Sequence, residues 1–182
     1  MKRILAFAGS NSKESINHQL VKAIATEVDG IETKLIRLTE YDIPMYNIDL
    51  ENNEGIPVDV QLLKNEISKS QGLILSVNEH NGSVSAFCKN VLDWLSRADR
   101  NYLEGKKILI ASTSPGARGA KTALEYAKTS LPRVGGDVVE SFSFPSFQEN
   151  FDSTKGIISN PTLQLGMEQV VASFVQEVAA TD

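Results

Sequence analysis

One pattern constrains this chain more than any other: strand-length apolar runs alternate with segments that carry apolar residues at helical spacing. The runs are RILAFA at 3–8, TKLIRL at 33–38, GLILSV at 72–77, KKILIAST at 106–113 and DVVESFSF at 137–144. Between the first two, Ile16, Leu20, Val21, Ile24 and Val28 mark one face of a helix over 15–28. Comparable stripes run over 58–70, 83–96 and 119–131, and a last one starts at Leu163. A strand followed by a helix and then by another strand builds a parallel pair, and a parallel sheet needs helices on both faces. The expected fold class is therefore α/β, a three-layer sandwich around a five-stranded parallel sheet. Residues 39–57 and 145–161 hold turn formers without a regular period and are expected to be loops.

Bulk properties narrow the function classes. The 182 residues show no internal repeat, linker or low-complexity segment, so residues 1–182 read as a single domain. A net charge of -5 works against broad binding of nucleic acid or of an anionic membrane surface. No apolar run is long enough to span a membrane. The basic start, Lys2 and Arg3, leads into a strand and not into a leader-like apolar stretch, which makes the expected location cytoplasmic. Cys88 is the one cysteine, so no intrachain disulfide forms. Two histidines and one cysteine, far apart in sequence, give no zinc pattern, and no metal site is expected.

In parallel sheets of this kind, ligands sit beyond the carboxyl ends of the strands, near the point where the strand order reverses. Three segments should meet there: 9–17, 77–83 and 113–119. All three are rich in Gly, Ser, Asn or Thr. In the first, GSNSKESIN, the hydroxyls and amides of Ser10, Ser12, Ser15 and Asn17 exceed what one helix cap requires. A helix starting near Ser15 would offer unpaired N–H groups and a positive dipole end to a phosphate. The plainer alternative is that Ser12 or Ser15 is an N-cap and the rest are turn residues. Both the dinucleotide fingerprint G-x-G-x-x-G and the Walker pattern are absent, which favours a mononucleotide phosphate.

The second segment, NEHNGS at 78–83, contains the turn pair Asn81–Gly82. Glu79 either accepts hydrogen bonds or faces solvent. His80 reads better as a ring stacked on a flat ligand or a partner chain than as a general base, because no Asp, Ser or Cys partner is identifiable. Ser83 reads as the N-cap of the following helix. The third segment, TSPGARG at 113–119, carries the turn pair Pro115–Gly116, and its small residues let a planar group approach the backbone. Arg118 reaches a phosphate on one reading and is a solvated helix-start residue on the other. Cys88 lies within an apolar stripe, so burial is expected and a redox role is not. For Trp94, off the centre of that stripe, a core position is the simpler reading.

These segments resemble a known family. AFAGSNSKESIN looks like the phosphate loop of the NAD(P)H-dependent FMN reductases, which have the flavodoxin-like fold. NEHNGSVSAFCKNVLDWLSR is similar to the family's most recognisable stretch, usually Pro-Glu-Tyr-Asn-Gly-Ser followed by a Lys-Asn-x-x-Asp-Trp helix. STSPGARGA resembles the third flavin loop, and IPMYNIDLENNEGIP the family's segment between the second strand and the second helix. The likeness spans residues 1–145, in order and spacing; beyond that, the match is only that a helix follows.

The resemblance implies the flavodoxin-like strand order 2-1-3-4-5 and a noncovalently bound FMN. It implies phosphate contacts from Ser10, Ser12, Ser15, Ile16 and Asn17, and ribityl and ring contacts from Asn78, Glu79, His80 and Asn81. Ring-edge contacts would come from Thr113, Ser114, Pro115 and Gly116. Hydride or electrons would pass from NADPH or NADH through FMN to a second small-molecule acceptor, such as free flavin, a quinone, an azo compound or a metal oxyanion. No catalytic side chain is implied, because the flavin carries the chemistry. A homodimer is implied, sometimes assembled into a homotetramer, with the flavin near the subunit interface. Two departures stand out: Ser12 where many relatives carry Arg, and Asn78-Glu79-His80-Asn81 in place of Pro-Glu-Tyr-Asn. A flavodoxin-type electron carrier, or a flavin-binding sensor without NAD(P)H turnover, is the alternative.

Overall fold

The computed structural model describes residues 2–181. Nine strands and seven α-helices follow one another among them: β1 (Arg3–Ala8), α1 (Ile16–Thr26), β2 (Glu32–Leu35), α2 (Ile48–Glu54), α3 (Val58–Ser68), β3 (Gly72–Val77), β4 (Glu79–His80), β5 (Ser83–Val84), α4 (Ala86–Ala98), β6 (Lys107–Thr113), α5 (Lys121–Ser130), β7 (Asp137–Phe144), α6 (Phe147–Asn150), β8 (Phe151–Asp152), β9 (Ile157–Ile158) and α7 (Pro161–Ala180). Five of the strands form one sheet in the order β2-β1-β3-β6-β7, with all neighbours parallel. Counted over those five strands, this is the expected order 2-1-3-4-5. The remaining strands form two short antiparallel hairpins, β4–β5 and β8–β9.

The apolar strands have two buried faces, and strand alternation assigns them. Ile4, Ala6 and Ala8 of β1 pack with Leu20, Val21 and Ile24 of α1 and with Met167, Val171, Phe174 and Val178 of α7. Leu5 and Phe7 of the same strand face the other way, toward Val60, Leu63 and Ile67 of α3, Val91 and Trp94 of α4, and Leu124 of α5. Two helices therefore cover one face and three the other, which completes the three layers.

Several boundaries differ from the expectation for identifiable reasons. The expected loop 39–57 contains α2, capped by Asn47, whose side chain accepts from the Leu50 N–H at 2.8 Å. This helix has no buried residue, so no apolar stripe announces it. The segment before α2 is fastened to α4. Trp94 Nε1 and Asn90 Nδ2 donate to the Pro44 carbonyl at 2.8 and 2.9 Å, and Asn90 Oδ1 accepts from the Tyr46 N–H at 2.7 Å. Trp94 is fully buried, as its simpler reading had it. The expected loop 145–161 contains α6 and the β8–β9 hairpin. The terminal helix begins at Pro161, two residues ahead of Leu163, because Asn160 caps it and Pro fits its first turn.

The helix expected over 119–131 starts later. Gly119 and Ala120 are left-handed, with φ of 56° and 58°, so α5 begins at Lys121. The helix expected over 83–96 also starts later, at Ala86, and its cap is Ser85 and not Ser83. Ser83 instead pairs with His80 across a hairpin.

Candidate functional site: a cleft where three strand ends meet

β1, β3 and β6 are neighbours in the sheet, so their carboxyl ends bring the three predicted loops together. They line a cleft of about 220 Å³. Ser10, Ser12, Ser15, Ile16 and Asn17 line it from the first loop, Asn78, Glu79 and His80 from the second, and Thr113, Ser114 and Pro115 from the third. Glu14 also lines it and was not among the predicted residues. Asn81 and Gly116 sit in the same loops but outside this lining.

The first loop leaves β1 through Gly9, whose N–H donates to the Ser76 carbonyl at 2.8 Å. A Cβ at Gly9 would lie 2.4 Å from Cys88 Sγ, so only glycine lets the loop cross that side chain. Ser15 is the N-cap of α1: its Oγ accepts from the His18 N–H at 3.1 Å. The N–H groups of Lys13, Glu14, Ile16 and Asn17 donate to no acceptor among the described residues. This row of free donors at a helix start is the arrangement that binds phosphate. Ser15 is therefore the cap, and the other N–H groups of the loop remain without a protein acceptor among the described residues.

Asn17 lies beneath the cleft, 4% exposed. Its Oδ1 accepts from Ser76 Oγ at 2.7 Å, and its Nδ2 donates to the Thr113 carbonyl at 3.4 Å. One amide thus ties the start of α1 to the ends of β3 and β6. Beside it, Thr113 Oγ1 is buried without any hydrogen-bond partner. Such a group is a standing cost unless a ligand satisfies it. A buried hydroxyl seeking a partner, free backbone donors for a phosphate, and a groove lined by small residues together fit a flavin mononucleotide.

The second loop is a hairpin. Asn81 and Gly82, with φ of 51° and 76°, make its turn, and two consecutive positive values belong to the tight turns that match strand twist. Asn78 is anchored below: Ser85 Oγ lies 2.8 Å from Asn78 Oδ1 and 3.1 Å from the Gly9 carbonyl. Ser85 has one proton and gives it to one of these, while its oxygen accepts from the Cys88 N–H. Glu79 does not simply face solvent. Its carboxylate accepts from the Ala123 N–H at 3.0 Å and serves the first turn of α5, whose own N-cap, Ala120, has no side chain for the purpose. His80 is exposed at the rim, and its ring makes no hydrogen bond among the described residues.

The third loop is held from behind by the start of α6. The Ser114 carbonyl accepts from the Phe147 N–H at 3.1 Å, and the Gly116 carbonyl from the Ser146 N–H at 3.0 Å. Ser112 Oγ and Ser143 Oγ both donate to the Gly119 carbonyl, at 2.6 and 3.1 Å. These carbonyls are spoken for, whereas the N–H groups of Ser114 and Gly116 have no partner among the described residues. Arg118 is exposed and donates to Thr122 Oγ1 at 3.0 Å, one turn along its own segment, so its solvated reading holds.

Burial pushes the Cys88 thiol up to about 12, which leaves it a protonated packing group under Gly9 and not a nucleophile. His18, on α1, is held below its usual range by burial and then by the positive charges of Arg37 and Lys22. No cluster of three or more His, Cys, Asp or Glu residues is arranged to hold a metal among the described residues. No helix among them is long and apolar enough to cross a membrane.

The chain is similar to a quinone reductase of Escherichia coli, 31% identical over 97% of this chain and 96% of that protein. It is 27% identical to an NAD(P)H-dependent FMN reductase of Pseudomonas aeruginosa, over 93% of this chain and 92% of the relative. Among solved structures, FerB of Paracoccus denitrificans, a flavoenzyme NAD(P)H:acceptor oxidoreductase, superposes with a TM-score of 0.83. The two are 27% identical, and the match covers 100% of this chain and 99% of FerB. The sequence profile of NADPH-dependent FMN reductases matches residues 2–149, which contain the whole sheet and all three loops of the cleft. The chain belongs to that family and is a flavin-dependent oxidoreductase of flavodoxin-like fold.

Proposed function

We propose that this protein binds FMN in the cleft and uses it to carry electrons from NAD(P)H to a small acceptor of the quinone or flavin class. The observation that carries the site assignment is Thr113: a buried, unpartnered hydroxyl where the three loops meet. On this reading the free N–H groups from Lys13 to Asn17 hold the phosphate, with Ser10, Ser12 and Ser15 completing the shell. Asn78, Glu79, His80 and Asn81 flank the ribityl chain and the ring. Thr113, Ser114, Pro115 and Gly116 meet the ring edge, where the free N–H groups of Ser114 and Gly116 stabilise negative charge by preorganised electrostatics. The flavin supplies the hydride and electron chemistry when bound. The protein contributes orientation: Asn17 locks the strand ends, and Glu79 pins the hairpin against α5.

The reading extends to a single domain working in the cytoplasm as a homodimer or homotetramer. Met45, Ile48, Val58 and Leu62 support the assembly. They are large apolar side chains left exposed on and beside α2 and α3, with Val58 reaching 74%. The acceptor is argued from the quinone reductase and acceptor oxidoreductase relatives and from the exposed rim at His80.

The deciding experiment is an absorbance spectrum of the protein after FMN addition and desalting, followed by anaerobic NAD(P)H and then a quinone. Retained yellow colour that bleaches with NAD(P)H and returns with the quinone is the expected result. Colour that NAD(P)H does not bleach would replace the enzyme with an electron carrier or sensor. Loss of the colour on desalting would refute the FMN site.

A further inference from the structure

Two further clefts lie along α1, behind the first loop, and nothing above uses them. They meet at Lys22 and Gly156, which line both, and Gly156 has no side chain to narrow the junction. One cleft, of about 270 Å³, is cationic: it brings together Lys13 from the first loop, Lys22 from α1 and Arg37 from just after β2. Arg37 is half-buried, and its Nη1 donates to the Lys13 carbonyl at 3.5 Å, so the guanidinium is held against the loop. None of these three cations pairs with a carboxylate among the described residues, although eleven other ion pairs form there. The other cleft, of about 420 Å³, is apolar at its base, between α1, the β8–β9 hairpin and α7. Ala23, Ile158 and Met167 are buried in its walls, and Ile157 stands at its edge, 50% exposed. The remaining charges of the two linings are placed unevenly. Glu14 lies at the cationic end. Glu27 lies at the far end, where it accepts from Gln164 Nε2 at 3.4 Å, and Lys155 is bridged to Asp152 at 3.5 Å. In a chain of net charge -5, the joined clefts therefore have three unpaired cations at one end and an apolar floor at the other. The depressed proton affinity of His18, to which Arg37 and Lys22 contribute, reports the same positive field.

We propose that the joined clefts bind a single-chain amphiphilic anion, a free fatty carboxylate, at a site separate from the flavin cleft. The head group lies between Lys22 and Arg37, and the chain runs past Gly156 onto Ala23, Ile158 and Met167. Charge and apolar area together select this class. A small inorganic anion would satisfy the cations and leave the apolar cleft open, whereas a neutral hydrocarbon would fill that cleft and leave the cations unpaired. A carboxylate accepts from a guanidinium and an ammonium in charge-assisted hydrogen bonds, and each methylene removed from water adds to the affinity. The dimensions agree. From Ser15 to Glu27 the two linings follow α1 for roughly 18 Å, enough for an extended medium-length chain. The apolar cleft alone falls within the size range of small-molecule sites. The inference stands apart from the FMN reading, since it uses neither the strand ends nor the loops after β3 and β6.

The test is calorimetric titration of the full chain with decanoate, octanoate and decanol, each kept below the concentration at which it aggregates. Wild type should bind decanoate roughly ten-fold more tightly than octanoate, the worth of two methylenes. It should also bind decanoate about ten-fold more tightly than decanol, the worth of one charge-assisted hydrogen bond. In the double variant Lys22→Gln, Arg37→Gln, decanoate should fall to the affinity of decanol, while decanol itself is unchanged. That retained decanol binding also reports a folded site. Ile157→Asp places a carboxylate at the edge of the apolar cleft and should weaken decanoate by about ten-fold or more. Far-ultraviolet circular dichroism and Tm should match wild type in both variants. No binding of decanoate by wild type would overturn the proposal, as would equal affinity for decanoate and octanoate, which would leave only a site for the anionic head. Full decanoate affinity in either variant would overturn it too. Displacement of decanoate by FMN would place the fatty acid in the flavin cleft and refute the separate site. A chain that binds decanoate as expected and retains no FMN would refute the cofactor reading and leave this site standing.

Discussion

Replacing Thr113 by Val separates the folded scaffold from its ligand in one experiment. The Thr113 hydroxyl is buried and unpartnered, and a group in that position costs about 1–3 kcal/mol in the flavin-free protein. Val keeps the β-branched shape at the end of β6, and the Thr113 carbonyl that accepts from Asn17 is untouched. The flavin-free variant should therefore be more stable by about 1 kcal/mol, which raises Tm by roughly 2–4 °C for a chain of this size. The effect on FMN has the opposite sign. One neutral hydrogen bond to the ligand is worth about 0.5–1.5 kcal/mol, so Kd should rise roughly 2- to 12-fold. The assay is thermal unfolding of flavin-free protein at increasing FMN, which yields both numbers through the linkage of binding to stability. A variant that is less stable without flavin yet keeps the full FMN-induced rise in Tm would refute the reasoning. It would mean that the hydroxyl has a protein or water partner and does not meet the ligand.

Three further outcomes follow from particular contacts. Gly9→Ala drives a Cβ to within 2.4 Å of Cys88 Sγ, so it should destabilise by about 1–3 kcal/mol in urea unfolding, and Cys88→Ala in the same chain should recover part of that loss. His18 has a folded value below its ordinary 6.5, so the unfolded chain binds more protons between the two values. Stability should then rise with pH through that window and be lost on acidification from about 6.5 downward, and His18→Gln should flatten this slope in denaturant titrations at stepped pH. The Cys88 thiol, pushed up to about 12 by burial, should resist aromatic disulfide reagents at neutral pH and react at the rate of unfolding; fast labelling of native protein would show that the first loop opens.

Much of the scaffold is legible because its signals are local. A strand such as GLILSV, with every residue buried, reads as a central parallel strand from its apolar run alone. The loops after β1, β3 and β6 are legible as a site because topology places the carboxyl ends of neighbouring strands together whatever their sequences. Where local signals conflict or are missing, the reading fails. Ser83 and Ser85 are equally good caps in sequence, and the choice falls to Ser85 because Asn81 and Gly82 spend Ser83 on a hairpin. α2 has no apolar stripe, since none of its residues is buried, and the chain ahead of it is held through Pro44 and Tyr46 by Asn90 and Trp94, more than forty residues away. Glu14 escaped notice because charge at a loop position carries no sign of the direction in which the side chain points.

The sequence alone determined the class of fold, the edge of the sheet where the three polar loops gather and the composition of those loops, since hydrophobic period and turn composition are properties of neighbouring residues. Only the tertiary structure decided the roles within the site. Asn17 meets Ser76 and Thr113 across separations of 59 and 96 residues, and Glu79 finds the open first turn of α5 across 44. Hydrogen bonding and charge act over a few ångströms in space, and no local pattern encodes which distant residue will arrive there.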